Sequence, residues 1–285
     1  MAVLIDGKAT SAKIRGGLAE KTIEFKKKYG YAPGLAVVIV GDDPASKIYV
    51  RNKKKACDEI GYNSFEYALP AETTEAELLS LIDKLNKDKA VHGILVQSPV
   101  PSHIDEKKIQ AAILPQKDVD AFHPVNVGKI MIGDYDFVPC TPAGITELLD
   151  EYGIETCGKS CTVIGRSNIV GKPMAMLMLH KNSTVTICHS KTPDVGAVTR
   201  NADIVIAAVG KAGFLTGDMI KDGAVVIDVG MNRDAAGKLC GDADFASCEK
   251  KASYITPVPG GVGPMTITML MKNTLKAAEL LAEGE

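Results

Sequence analysis

The chain is short of the features that mark metal, membrane and nucleic-acid proteins. Its five histidines (His92, His103, His123, His180 and His189) form no HxxxH or HxH pair, so no metal site is expected. Seven cysteines (Cys57, Cys140, Cys157, Cys161, Cys188, Cys240 and Cys248) form no CxxC pair and are odd in number. That is the pattern of scattered reduced thiols, and a cytoplasmic location is expected. No stretch reaches the roughly 18 apolar residues of a membrane helix, and the N-terminus has no charged-then-apolar leader pattern. Basic residues gather in no long run, and the net charge is −2, which gives no support to a nucleic-acid or membrane partner. There is no internal repeat and no low-complexity tract.

What remains is an ordinary globular composition, 46% apolar and 24% charged, in 285 residues, enough for two domains with separate cores. Apolar runs alternate with helical segments, the mark of parallel α/β sheets covered on both faces. In the first half the runs are Leu35 to Val40, Ser64 to Leu69 and Gly93 to Val96, with helices expected near 8–29, 44–60 and 74–87. In the second half they are Cys161 to Ile164, Thr184 to Cys188, Ile204 to Val209 and Val225 to Val229, with a helix near 169–180. Pro115 to Pro142, between the halves, has no clear periodicity and ends at Thr141-Pro142 as N-cap and first residue of a helix to about Tyr152, which reads as one connector between the domains. A long helix from Pro264 closes the sequence. The expected fold is two-domain α/β: an open parallel α/β sheet over 1–140, with the helix at about 265–285 packing back on it, and a Rossmann-like nucleotide-binding domain over 141–264.

One lysine stands out. Asp43, Pro44 and Gly61 mark the ends of a helix, on which Ala45, Tyr49, Lys53, Ala56, Cys57 and Ile60 share one arc, while Lys47, Arg51, Lys54 and Lys55 lie opposite. A lysine held among apolar neighbours can exchange its proton near neutral pH; the bland alternative is a side chain that snorkels to water. Gln97 lies at the carboxyl end of the run Gly93 to Val96, where open α/β sheets bind ligands, although it also suits a role in satisfying loop backbone. Asp118 and Asp120 sit two apart in a loop, fit either for a hydrogen-bonding heterocycle or for turn formation.

The segment Thr162 to Pro173 reads strand, tight turn, helix start, with a GxSxxxG variant of the dinucleotide fingerprint. Gly165 permits the turn, Ser167 is small enough for a close pyrophosphate, and helix amides receive the anion. The next strand ends in His189-Ser190-Lys191 and lacks the carboxylate that binds an NAD ribose. Arg166 and Ser190, with His189 or Lys191, suit a 2′-phosphate, which favours NADP over NAD. Tyr254 to Thr266 packs three prolines and three glycines of PVPGGVGP directly before a helix, a stiff loop with open amides suited to a planar ligand or an anion.

PASKIYVRNKKKAC, GILVQ-x-P-x-P, KDVD, GRSNIVGKP, VVIDVG and ITPVPGGVGPMT follow one another across nearly the whole chain. Together they resemble the bifunctional methylenetetrahydrofolate dehydrogenase/methenyltetrahydrofolate cyclohydrolase family. The resemblance implies NADP as cofactor, tetrahydrofolate derivatives as substrates and a homodimer. It implies Lys53 as catalytic acid/base, Tyr49 against the folate, Gln97 positioning Lys53, and Asp120 on the pterin. Gly165, Arg166, Ser167, Ser190 and Met231 would hold the cofactor, and Pro259, Gly260, Gly261, Gly263, Pro264 and Thr266 would line the substrate. For Lys53 to serve, its reference pKa of about 10.4 must fall toward roughly 7–8. Ser98 and Ala121 depart from the family pattern, where many relatives have Leu and Gly. A dehydrogenase for a small hydroxy or amino acid, and a nucleotide-sensing protein without turnover, are the competing readings; neither explains Tyr49 and Lys53 together.

Overall fold

The run around Leu35 to Val40 is buried at all seven positions of its strand, because it lies between two partners and beneath helices. The structure is a computed structural model describing residues 1–284. In chain order come β1 (Val3–Leu4), α1 (Gly7–Tyr29), β2 (Gly34–Val40), α2 (Pro44–Ile60), β3 (Asn63–Leu69), α3 (Glu75–Lys87), β4 (Gly93–Val96), α4 (Glu106–Ala112), α5 (Pro124–Ile132) and α6 (Cys140–Glu151). Then follow β5 (Ser160–Ile164), α7 (Gly171–His180), β6 (Thr184–Cys188), α8 (Val195–Thr199), β7 (Ile204–Ala207), β8 (Val225–Asp228), β9 (Asn232–Arg233), β10 (Leu239–Cys240), α9 (Phe245–Cys248), β11 (Tyr254–Ile255) and α10 (Val262–Glu283).

Two compact units result. One comprises Lys13–Pro139 and the chain from Ile267 onward, the other Met1–Ala12 and Cys140–Thr266. The first holds a parallel three-stranded sheet in the order β3-β2-β4. Its core includes Val38, Leu78, Ile82 and Ile94. The C-terminal helix is held to this unit by polar as well as apolar contacts: Tyr62 donates to the Met271 carbonyl at 3.1 Å, and Asn273 Nδ2 donates to the Val119 and Val138 carbonyls at 2.8 and 3.0 Å.

The second unit is a parallel six-stranded sheet, β1-β11-β8-β7-β5-β6, with the short antiparallel hairpin β9–β10 beside it. Its inner strands β7 and β8 are buried at every position. Here the division departs from the expected 1–140 and 141–264. Residues 1–12 belong with the six-stranded unit because Val3 and Leu4 pair with Tyr254 and Ile255 at its edge. A two-residue strand has no periodicity by which to announce this.

Other departures are local. The stretch without clear periodicity contains α5, with the His123 side chain accepting from Val125 N–H, Pro124 in its first turn, and Gly133 in the left-handed conformation after it. The helix expected to be capped by Thr141 starts one residue earlier, at Cys140, and the last helix starts at Val262, two residues before Pro264. Among the described residues, no helix is long and apolar enough to cross a membrane.

Candidate active site

In the three-stranded unit the reactive edge is set by β2 and β4. The chain leaves β2 through Gly41, and α2 begins at once. Asp43 accepts the Ser46 N–H at 2.7 Å, Pro44 stands in the first turn, and Gly61 ends the helix at φ 80°. The buried side chains of α2 are Ser46, Val50, Lys53, Ala56, Cys57 and Ile60. The expected arc is thus turned slightly: Ala45 and Tyr49 lie on its exposed flank, and Ser46 and Val50 take their place. Ser46 tolerates burial because its hydroxyl reaches the Ser98 carbonyl at 3.5 Å. Lys53 is 9% exposed, whereas Tyr49, one turn earlier, is 38% exposed.

Lys53 Nζ donates to Gln97 Oε1 at 2.8 Å. Gln97 follows β4, and its own N–H donates to the Val38 carbonyl of β2, which fixes it at the carboxyl end of the sheet. Its Nε2 donates to the Ser98 carbonyl at 2.7 Å, so the amide is held with its oxygen toward the lysine. The Ser98 hydroxyl in turn bonds Glu106, a contact that Leu at this position could not make.

The KDVD segment runs beside β4: Ile94 N–H donates to the Lys117 carbonyl and Ile94 pairs with Asp118. The two acids then separate in role. Asp118 is 3% exposed and accepts from His123 N–H and Asn126 Nδ2, both at 2.8 Å; it closes the turn, and burial raises its pKa. Asp120, two residues further along, is half-buried and, like Asp118, lines a small open pocket, shared with Val96, Glu106, Gln110 and Phe122. Lys117 is a second buried lysine, but it donates to the Leu85 and Asp88 carbonyls at the end of α3, which makes it a helix-closing residue. Ala121 is fully buried at φ 59°, the left-handed region in which a side chain is costly.

In the six-stranded unit, Gly165 follows β5 at φ 127°, where a Cβ would meet the Ala208 carbonyl oxygen at 2.2 Å, and a Cβ on Gly171 would meet the Gly165 oxygen at 2.3 Å. The turn is therefore bare backbone, the form that lets a pyrophosphate approach a helix start. Ser167 Oγ accepts from Val170 and Gly171 N–H at 3.1 and 3.2 Å and shapes the turn. Ile164 of β5 pairs with Cys188 of β6, so Arg166 and Ser190 each follow the carboxyl end of one of two adjacent strands, and both are exposed. His189 Nδ1 accepts the Lys191 N–H at 3.1 Å and serves its own turn. These groups fit a nucleotide bearing a 2′-phosphate.

The PVPGGVGP loop follows β11 and is clamped from the N-terminus. Lys8 N–H donates to the Gly260 carbonyl at 3.0 Å, Ser11 Oγ to the Pro264 carbonyl at 3.3 Å, and a Cβ on Gly7 would stand 1.7 Å from the Gly261 oxygen. Gly261 N–H closes back on the Pro257 carbonyl at 2.8 Å, and Thr266 Oγ1 lies 3.0 Å from Thr141 Oγ1. Pro259 and Gly263 are exposed, and Met231 Sδ would lie 3.7 Å from a Cβ on Gly263. Two buried acids escaped the sequence reading, Asp228 and Asp242; beside Met231 the first accepts the Gly230 N–H and the second the Asn232 side-chain amide. Their only signal is a glycine close to each, Gly230 and Gly241.

Comparison with known proteins follows the same division. The family model described as the catalytic domain of tetrahydrofolate dehydrogenase/cyclohydrolase matches residues 5–120, and the one described as its NAD(P)-binding domain matches residues 139–282. The bifunctional protein FolD of Acetivibrio thermocellus is 61% identical over 282 residues, 99% of either chain. The crystal structure of the bifunctional FolD methylenetetrahydrofolate dehydrogenase/cyclohydrolase of Campylobacter jejuni is 51% identical, with a TM-score of 0.96 over 99% of this chain and all of that one. The Trypanosoma brucei enzyme, complexed with NADP and an inhibitor, is 42% identical, with a TM-score of 0.95 over 99% of this chain and 98% of that one.

Proposed function

The chain belongs to the tetrahydrofolate dehydrogenase/cyclohydrolase family, and from that premise we propose how its residues divide the work. The protein oxidises 5,10-methylenetetrahydrofolate with NADP to 5,10-methenyltetrahydrofolate and hydrolyses the latter to 10-formyltetrahydrofolate. NADP, when bound, supplies the hydride acceptor. The methenyl cation left by hydride loss is shared by two flanking nitrogens, so the first reaction asks the protein for orientation more than for a base.

The second reaction needs proton transfers, and Lys53 is the residue for them. As water adds to the one-carbon bridge, the neutral amine of Lys53 takes a proton from it. As the bond from that carbon to N5 breaks, N5 gains a proton, and one proton is released overall. The observation that carries this reading is the 2.8 Å bond from buried Lys53 to a neutral amide oxygen. Burial disfavours the ammonium form, and an amide compensates it less than a carboxylate would. Gln97 positions the amine, Asp120 accepts from the amino-substituted pterin, and Tyr49 offers its ring to the same substrate. Gly165, Arg166, Ser167, Ser190 and Met231 serve the nucleotide, and the loop from Pro259 to Thr266 serves the folate.

Two further assignments belong to this reading. The protein works in the cytoplasm, as its scattered thiols suggest. It also assembles as a homodimer; β6 is a sheet-edge strand with Ile187 exposed, a surface that proteins seldom leave uncovered. Light scattering tests the latter, a monomer at micromolar concentration being the contrary result. The reaction assignment is tested by offering methylenetetrahydrofolate with NADP or NAD and, separately, methenyltetrahydrofolate alone. Nucleotide reduction, faster with NADP, and decay of methenyl absorbance are both expected; loss of either activity refutes the double role.

A further inference from the structure

The six-stranded unit buries two carboxylates to which the reaction assigns no task. We propose that Asp242 is a positioning residue of the nicotinamide-nucleotide site, holding the loops after β7 and β8 in their binding shape; this rests on the NADP reading above.

The arrangement is a relay of two acids. Asp228, the last residue of β8, accepts backbone N–H groups from Gly230, Asp242 and Ala243 at 2.9, 2.8 and 2.9 Å. This seats the segment that carries Asp242. Asp242 is itself 0% exposed and accepts from Val209, Gly210 and Lys211 N–H at 2.6, 3.0 and 2.9 Å, and from Asn232 Nδ2 at 2.8 Å. Four donors occupy the acceptor sites of one carboxylate, which is how a buried charge is tolerated. Three consecutive N–H groups around Gly210, at φ 67°, form a concave anion-binding nest. Here the nest is filled by the protein's own carboxylate.

The glycines show that the sequence makes room for this. A Cβ on Gly230 would stand 2.4 Å from Asp242 Oδ1, and a Cβ on Gly241 would stand 1.7 Å from Asp228 Oδ2. An apolar plug could also fill the space, but it would not turn three successive amides inward. The place matters as much as the bonds. The loops are at the carboxyl ends of adjacent strands, the edge at which doubly wound sheets bind nucleotides. Met231 lies between Gly230, tied to Asp228, and Asn232, tied to Asp242, while its own side chain is 53% exposed. An exposed side chain at the proposed nucleotide site thus stands between two tethered residues, Gly230 held by its backbone N–H and Asn232 by its side-chain amide.

The test uses the intact protein carrying Asp242→Asn or Asn232→Ala. Calorimetric titration with NADP gives affinity without turnover. Dehydrogenase kinetics give KM for NADP, and hydrolysis of methenyltetrahydrofolate without nucleotide reports on the reaction assigned to Lys53. Misplacing a binding loop by an ångström costs up to about 100-fold, so Asp242→Asn is expected to raise both the Kd and the KM for NADP by at least about tenfold, with cyclohydrolysis held within about twofold. Asn232→Ala, which removes one tether and keeps the nest, should move the same quantities in the same direction by less. Unchanged NADP affinity in Asp242→Asn, or equal losses in both activities, overturns the proposal. Should Asp242→Asn fail to fold, Asn232→Ala decides alone, and unchanged NADP affinity there overturns it. A wild-type protein that does not bind NADP would instead refute the cofactor reading.

Discussion

Lys53 and Gln97 form a directed pair: the lysine gives a hydrogen bond to the amide oxygen, while the amide nitrogen is taken up by the Ser98 carbonyl. The second bond stops the amide from flipping, so the amine always meets an acceptor. Lys117, also buried, meets only helix-end carbonyls and has no such ligand-facing partner among the two bonds that hold it. Burial alone does not distinguish a working lysine from a structural one; the partner and its place at the sheet edge do.

Replacing this amine should separate the two activities. Lys53→Met is expected to lower cyclohydrolysis by about 10²–10⁴-fold, with the Kd for NADP unchanged by calorimetry. Full hydrolysis of methenyltetrahydrofolate by that variant would remove Lys53 from the mechanism. Gln97→Glu sets a carboxylate against the ammonium and should move the onset of cyclohydrolysis to higher pH, read from a rate–pH profile.

Arg166 and Ser190 follow the ends of the neighbouring strands β5 and β6. A charge-assisted hydrogen bond is worth roughly 1.5–3 kcal/mol, so Arg166→Ala should weaken NADP by about 10- to 100-fold and NAD much less. The ratio of specificity constants for the two nucleotides is the measurement. Equal losses would mean that Arg166 does not read the 2′-phosphate.

Ala121 combines full burial with φ 59°. Relief of left-handed strain is worth about 1–2 kcal/mol. Against this, glycine loses a buried methyl, about 0.8 kcal/mol, and adds about 0.5–1 kcal/mol of chain entropy. Ala121→Gly should therefore leave stability within about 0.5 kcal/mol, despite deleting a buried group. Ala121→Val should cost more than about 2 kcal/mol, because a β-branched residue fits this region poorly. Denaturant titration distinguishes these outcomes; a loss of several kcal/mol in Ala121→Gly would contradict the strain argument.

Burial pushes the Asp228 carboxyl up to about 6. The folded state then holds this proton more tightly than the unfolded chain, whose carboxyl titrates near about 3.9. Its contribution favours the fold most below that lower value, declines as pH rises from about 4 to about 6, and is flat above, a change of about 3 kcal/mol. Asp203 acts oppositely. Its bond to Lys221 leads in holding it at about 2, so its contribution is present above the unfolded value and fades as pH falls through the folded one. Unfolding free energies of wild type and Asp228→Asn, compared from pH 4 to 6, isolate the first effect. Parallel curves would mean that Asp228 does not titrate there.

The parts legible in the sequence were those with a local signature. Gly93 to Val96 and Thr184 to Cys188 are strands with those bounds, since unbroken apolar or β-branched runs have few other uses. Asp43, Pro44 and Gly61 bound α2 as expected. The face of that helix was harder: Ser46 looks like a surface residue until the Ser98 carbonyl beside it is known. The Asp118 and Asp120 pair left two roles open; both line one pocket, but Asp118 is buried and spent on the turn, while Asp120 is the more exposed of the two. The roles of Asp228, which lies within VVIDVG, and Asp242 were hidden because all but one of their partners are backbone amides, which no residue pattern identifies.

The pairing of β1 with β11 has a consequence for biogenesis. Val3 pairs with Tyr254, about 250 residues further along the chain, and a contact between positions so far apart forms late in assembly. Until then the turn at Gly7 and Lys8 cannot brace the glycine-proline loop. The loop proposed to receive the folate therefore gains its brace only once this long-range pairing has formed, and a substitution that weakens the pairing would loosen the loop without touching it.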